Sequence, residues 1–440
     1  MQPYSERRAR ALAAFEGGVA VLPSARTLLR NGDSTYAFRQ NSDFYYLTGF
    51  DEPDAVLVLA PAHAAHRSVL FLRERDRTAE IWNGKRLGVE GACGALGVDA
   101  AYPIAELPAR LPEYLTGASS LHYAFGNDAA IDRTVREALE AARSATRRKG
   151  RAPHTIVEPS LVLDAMRSVK SEAEAATLRQ AAAITQAGHV AGMRRTRPGL
   201  YEYEIQAIVE SEYRRLGAQS TAYESIVAGG DNATVLHYVA NRDRLTAGSL
   251  LLIDSACELD CYATDVTRTW PVDGRFTAEQ RAIYEIVLAA QEAAIAQVRP
   301  GIRRDAFHDA AVRTIVDGLI DLGLLAGTVD ENVERQTYRD YYMHGTGHWL
   351  GLDVHDAGPY RDADDNPITL RPGMVTTVEP GIYVHRDLAC DERFKGIGVR
   401  IEDDVLVTAQ GNENLTAGVP KRIDELEAIV GSEARVPAAS

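Results

Sequence analysis

Residues 253–269, IDSACELDCYATDVTRT, decide how the rest of the chain is read. The run 250–253 is apolar, has strand character and ends in Asp254. A polar turn follows. From 262 to 270 the pattern alternates, which places Asp265, Thr267 and Thr269 on one face and Val266, Arg268 and Trp270 on the other. This is a hairpin carrying two carboxylates. Acids beside apolar runs are poorly placed for solvation, since buried carboxylates are paired or bind metal. Taken singly, each reads as well as a turn former or an ion-pair partner.

A second stretch repeats the logic. In VTTVEPGIY (375–383) a strand leads into Glu379, where Pro380-Gly381 ends it and fixes the carboxylate at its tip. GIGVRIEDDVLVT (396–408) alternates over 398–407, with Arg400, Glu402 and Asp404 on one face. Asp403 and Asp404 have a plain reading as solvated acids of an edge strand. Two such hairpins predict a pseudo-symmetric core with a site between its halves. MHGTGHWLGLDVHD (343–356) adds His344, His348 and His355. Its H-x3-H spacing lacks the glutamate of helical zinc proteases, and two glycines would spoil a helix, so a loop or strand is expected.

Asp254, Asp265, His348, Glu379 and Glu402 together offer four carboxylates and one imidazole, with no thiol. That donor set suits manganese, cobalt or iron(II) better than a cysteine-bound structural zinc. Four anions roughly neutralise two divalent cations, and two ions sharing a water would make hydroxide available near neutral pH. The reading is a two-metal hydrolase.

At 440 residues the chain predicts two domains. Strand candidates at 19–22, 55–59 and 68–72 and a helix over 132–148 indicate a small α/β unit at the N-terminus. Ser171 followed by Glu174 is a capping box that opens a long helix, ended by Arg197-Pro198-Gly199. The boundary therefore falls near 165–170, giving an N-terminal α/β domain (1–168) and a C-terminal α+β domain (169–440). The net charge of −14 argues against nucleic acid as a partner. No apolar run approaches the roughly 18–20 residues of a membrane span. MQPYSERRARALAAF reads as an amphipathic helix rather than a leader, and the protein as cytoplasmic. Cys93, Cys257, Cys261 and Cys390 are too sparse for a disulfide framework and read as free thiols. Residues 387–394 form a charged, insertion-like loop, and the tail after Ser432 reads as disordered.

In their order along the chain, these motifs resemble those of the proline-specific metallopeptidases of the pita-bread fold. YAFRQNSDFYYLTGFDEPDAVLVLAP (36–61) and TAEIWNGKRLG (78–88) are similar to stretches of the bacterial Xaa-Pro aminopeptidases (aminopeptidase P) in particular. The resemblance runs from about residue 30 to 425. It implies a creatinase-like N-terminal domain that gates substrate and supports oligomerisation, ahead of a pita-bread catalytic domain. It also implies two manganese ions, with Asp254 chelating one, Asp265 and Glu402 bridging both, and His348 and Glu379 completing the second.

A bridging hydroxide would attack the Xaa-Pro bond of a peptide, and Glu379 would manage the proton of that water. His237, in ATVLHYVANRD (233–243), has no strong reading of its own. By resemblance it pairs with His355 to contact the substrate carbonyl and stabilise the oxyanion or shuttle its proton. His344, Tyr383 and Arg400 would surround the proline, while Tyr223 and Leu236 would line the pocket for the first side chain. Asp33 and Trp82 would approach from the N-terminal domain, Trp82 from a neighbouring subunit of a homo-oligomer (dimer or tetramer). An X–Pro bond has no N–H to grip; Asp254 would receive the free amine instead. The nearest rival is a prolidase acting on Xaa-Pro dipeptides with the same ligands. A methionine aminopeptidase is disfavoured by the size of the N-terminal domain. A non-catalytic peptide-binding module is disfavoured because all five ligands are present.

Overall fold

The computed structural model describes residues 3–148 and 150–433, and it divides into two compact units, Met1–Met166 and Arg167–Ser440. From residue 434 onward the tail expected to be disordered lies outside the described residues.

The first unit is built on a six-stranded sheet. Its order is Ala100–Pro103, Ser68–Leu72, Val56–Leu59, Gly18–Pro23, Ser120–His122 and Thr155–Val157. The strands VLVL and SVLFL are buried along their whole length, as near-continuous apolar runs are when both sheet faces are covered. Pairing is antiparallel across Val56–Leu59 and parallel toward both edges. The helix expected over 132–148 begins earlier, at Ala129, because Asp128 caps it by accepting from the amides of Ala130 and Ile131. Two helices, Leu107–Leu115 and Ala129–Thr146, pack on each other and contribute Leu111, Leu115, Val135 and Leu139 to the core.

The second unit pairs helices with small antiparallel sheets. Ser171 and Glu174 form the capping box reciprocally, and the helix runs Glu172–Arg195. It packs on the helix Glu202–Arg215, and a second helix pair is made by Ala278–Ile295 and Ala306–Asp321. One three-stranded sheet orders Ile226–Gly229, Leu250–Asp254 and Thr267–Pro271; another orders Val375–Val378, Asp403–Val407 and Asn412–Asn414. Gly381–Tyr383 and Gly398–Arg400 pair separately. One contiguous core joins these elements, with Trp270, Tyr284 and Trp349 among its largest members. These small sheets, backed by the helix pairs, make the pita-bread fold, preceded in the chain by an α/β domain.

Three expectations are corrected. The alternating stretch 262–270 is two strands, Tyr262–Ala263 and Thr267–Pro271, and Asp265 sits in the gap between them. The stretch 398–407 is likewise broken at Ile401 and Glu402, because its first part pairs with Gly381–Tyr383 and its second with Val375–Val378. Asp403 and Asp404 are fully buried, and their strand is central in its sheet, so neither is a solvated acid of an edge.

The four cysteines are free thiols. The Cys257–Cys261 spacing comes from a tight hairpin whose turn residues, Asp260 and Cys261, both adopt positive φ. The loop 387–394 is anchored by Phe394, which is buried in the core. Among the described residues no helix is long and apolar enough to cross a membrane.

Candidate active site

A cavity of about 570 Å³ opens in the second unit, and the carboxylates line it. Asp254 ends its strand and Glu379 follows directly after Val375–Val378. Asp265 and Glu402 occupy the two strand breaks, where side chains are freed from the alternation of a ladder. Backbone bonds hold these breaks in place. The Glu402 amide donates to the Thr267 carbonyl (3.0 Å), joining the two halves, and the Asp265 amide donates to the Asp404 carboxylate (3.1 Å).

The histidine loop is stitched onto the strand beside it. Thr377 N–H donates to the His348 carbonyl (2.9 Å), and Glu379 N–H to the Thr346 carbonyl (2.8 Å). Gly347 permits this approach, since a Cβ there would lie 2.0 Å from the Thr377 carbonyl oxygen. Thr346 is held by His308 (2.7 Å) and Tyr342 (2.6 Å), and the Arg304 guanidinium donates to the Gly347 carbonyl. Arg304 lies 4.2 Å from the centre of the Tyr360 ring and 5.2 Å from that of Trp349, a cation–π setting that keeps it in place. Sequence reasoning missed Arg304, because nothing near it in the chain resembles a motif.

Electrostatics show what the cluster suits. Tyr223 has one hydroxyl proton, yet its oxygen lies 2.5 Å from Asp254 and 2.6 Å from Asp265. Arg400 donates to Asp254 (2.7 Å). Burial raises Glu379 to about 7 and pushes Asp254 above its usual range. Burial together with repulsion from Asp265, Glu379 and Asp254 drives Glu402 well up. Anions gathered this closely away from water call for cations. Donor atoms of Asp265, His348 and Glu402 lie within 4.8 Å of one another. His348 donates Nδ1–H to the Trp349 carbonyl (3.0 Å) and turns Nε2 toward Asp265 (3.3 Å) and Glu379 (3.7 Å). Burial alone would lower the ring, but the bond to Asp265 and the charges of Asp265 and Glu379 outweigh it and raise it to about 9, so Nε2 carries a proton that a metal would displace. The donor set therefore fits divalent ions.

The remaining polar groups form an ordered chain. Arg400 donates to the Tyr383 hydroxyl (3.0 Å), which faces His344 Nε2 at 2.8 Å, while His344 Nδ1–H donates to the Gly345 carbonyl (2.7 Å). Burial, followed by the nearby Arg400, lowers His344 to about 3, so it is neutral and accepts the Tyr383 proton. His355 packs edge-on against His348 with ring centres 4.2 Å apart. His237, Leu236, Tyr223, His344 and His355 line the cavity with the five acidic and imidazole donors and Arg400. Trp82 and Asp33 are exposed residues of the first unit and are not among that lining.

Fold and centre define a class, the metallopeptidases, and the comparisons narrow it. Residues 176–409 match the model of metallopeptidase family M24, and residues 4–123 match the N-terminal domain of aminopeptidase P. The Xaa-Pro aminopeptidase of Escherichia coli K12 is 44% identical over 98% of this chain and 97% of its own length. The structure of Pseudomonas aeruginosa aminopeptidase PepP is 45% identical, covers 98% of this chain and 97% of that one, and superposes with a TM-score of 0.95. Zinc-substituted E. coli aminopeptidase P in complex with product is 44% identical, covers 99% of each chain and also gives 0.95. The chain belongs to metallopeptidase family M24, within its aminopeptidase P group.

Proposed function

We propose that the protein is a metal-dependent Xaa-Pro aminopeptidase, releasing the first residue from peptides whose second residue is proline. The observation that carries this reading is the gathering of four carboxylates, three histidines beside them and the Arg400–Tyr383–His344 chain around one cavity. The full-length likeness to named Xaa-Pro aminopeptidases, including the N-terminal domain, favours this over a prolidase. Asp254, Asp265, His348, Glu379 and Glu402 would hold two divalent ions, which we take to be Mn2+. When bound, such ions supply Lewis acidity toward the scissile carbonyl and the attacking water.

The protein's own groups do the rest. Glu379, raised toward neutrality by burial, holds and passes on the proton of the water. His237 and His355 stabilise the charge that develops on the carbonyl oxygen. The neutral His344 faces the pyrrolidine from the cavity wall with Tyr383 buried behind it, and Arg400 keeps Asp254 oriented to receive the peptide's free amine. Tyr223 and Leu236 bound the space for the first side chain. The proposal extends to a homo-oligomer, a dimer or tetramer, in which Trp82 and Asp33 of the N-terminal domain close on substrate, Trp82 acting on a neighbouring subunit.

The test compares metal-stripped protein with and without added Mn2+ on an Xaa-Pro-Xaa tripeptide and the matching Xaa-Pro dipeptide. Manganese-dependent release of the first residue from the tripeptide, with little action on the dipeptide, is expected. Cleavage of the dipeptide alone would make it a prolidase. An N-acetylated tripeptide cleaved as fast as the free one would remove the amine-binding role of Asp254.

A further inference from the structure

The strand Ile226–Gly229 and the strand Leu250–Asp254 are joined by a long connection that carries Leu236 and His237 into the cavity. Much of it is exposed, including His237. A connection of this length places a catalytic imidazole accurately only if something fastens it. Much of the fastening converges on one carboxylate. Glu202, fully buried in the first turn of the helix Glu202–Arg215, accepts four hydrogen bonds from this connection. Its Oε1 accepts from Gly229 N–H (2.8 Å) and Asn232 Nδ2 (3.0 Å), and its Oε2 from the Tyr238 hydroxyl (2.8 Å) and Asp243 N–H (2.8 Å). The bonds grip the connection where it leaves the sheet, where it returns, and at the residue next to His237. Asn241 secures the returning limb from beneath: it adopts φ +45° and bonds Val227, Ser225 and Gln206.

We propose that Glu202 is a positioning residue that acts through His237, an inference resting on the reading of His237 as a group that contacts substrate. Four donors saturate a carboxylate, so replacement by glutamine sets an NH2 against two N–H or O–H groups and opens one side of the grip. A purely structural Glu202 would lower activity by the same factor whether or not His237 were present.

The experiment measures kcat and KM on an Xaa-Pro-Xaa tripeptide for Mn2+-loaded wild type, Glu202→Gln, His237→Ala and the double variant, with melting temperature and metal content alongside. Glu202→Gln is expected to lower kcat/KM about 10–100-fold in the wild type. In the His237→Ala background the same change should lower it no more than about threefold. Equal factors in both backgrounds would overturn the positioning role. An unaltered kcat/KM for His237→Ala would instead overturn the reading of His237. Should Glu202→Gln not fold, Tyr238→Phe removes one donor and keeps the ring. It is expected to cost about threefold in the wild type and nothing measurable without His237. Equal costs in both backgrounds again overturn the proposal.

Discussion

Glu402 and Asp403 are neighbours in the chain and both buried, yet they occupy opposite electrostatic surroundings. Glu402 faces the cavity among Asp265, Glu379 and Asp254, and burial with their repulsion holds its proton well above the usual range. Asp403 turns away from the cavity. It accepts from Arg268 (2.6 Å), Lys421 (2.6 Å), Gln291 (2.8 Å), Asn414 (2.9 Å) and Thr416 (2.8 Å). Burial alone would raise it, but Arg268 and Lys421 outweigh that and hold it well below the carboxylate range. Burial therefore does not decide what a carboxylate does. The placement of counter-charge does. One wall of the unit carries four acids with Arg400 paired to Asp254, an excess of anions that suits a cation from outside, and the region behind it carries its own cations and is structural.

Four changes would break or sharpen this contrast. On the anionic wall, Glu379→Gln should lower kcat about 10²–10⁴-fold with the fold intact, read from steady-state kinetics on the Mn2+-loaded protein. A loss below tenfold would remove Glu379 from proton handling. On the compensated side, Arg268→Met leaves Asp403 buried without its main partner and should cost about 3–5 kcal/mol in urea unfolding. The paired change with Asp403→Leu should recover much of that loss, and no recovery would mean that Arg268 matters through its bonds to the Glu402 and Val419 carbonyls.

The third change concerns the buried His189, whose Nε2–H donates to the Ser255 carbonyl (2.7 Å) and whose Nδ1 has no partner among the described residues. Burial lowers it from 6.5 to about 4. The unfolded chain then takes up the proton first, so stability is lost as pH falls from about 6.5 to about 4, by on the order of 3 kcal/mol. Unfolding free energy measured across that window for wild type and His189→Gln should differ in slope, and identical slopes would sink the assignment. The smallest effect is expected at the surface, where Arg179 pairs through two nitrogens with Glu413 (2.8 Å each). Its replacement by alanine should cost at most about 1 kcal/mol, because water already screens the pair.

Much of this was legible in the chain. The apolar run before Asp254, the Pro-Gly after Glu379 and the Ser171–Glu174 capping box are local signals, and the elements they mark are formed by nearby residues. Arg268 left a trace as well, since it shares its alternating face with Val266 and Trp270, a position that implies burial and hence a partner. Glu202 and Arg304 left none. Their roles depend on backbone groups far along the chain, such as Asp243 and Gly347, and no periodicity records those encounters.

By itself the sequence determined the strand and helix segments, the oxygen-rich donor set and the glycines that admit close approach. These follow from side-chain chemistry and short-range backbone preference. Tertiary structure alone decided where the strands break, at Asp265 and at Glu402, because a ladder ends where its partner changes. It also decided that Asp403 is an internal anchor while Glu402 faces the cavity. Arg268 and Asp403 are 135 positions apart, and only the folded sheets bring that counter-charge to one acid while leaving its neighbour without.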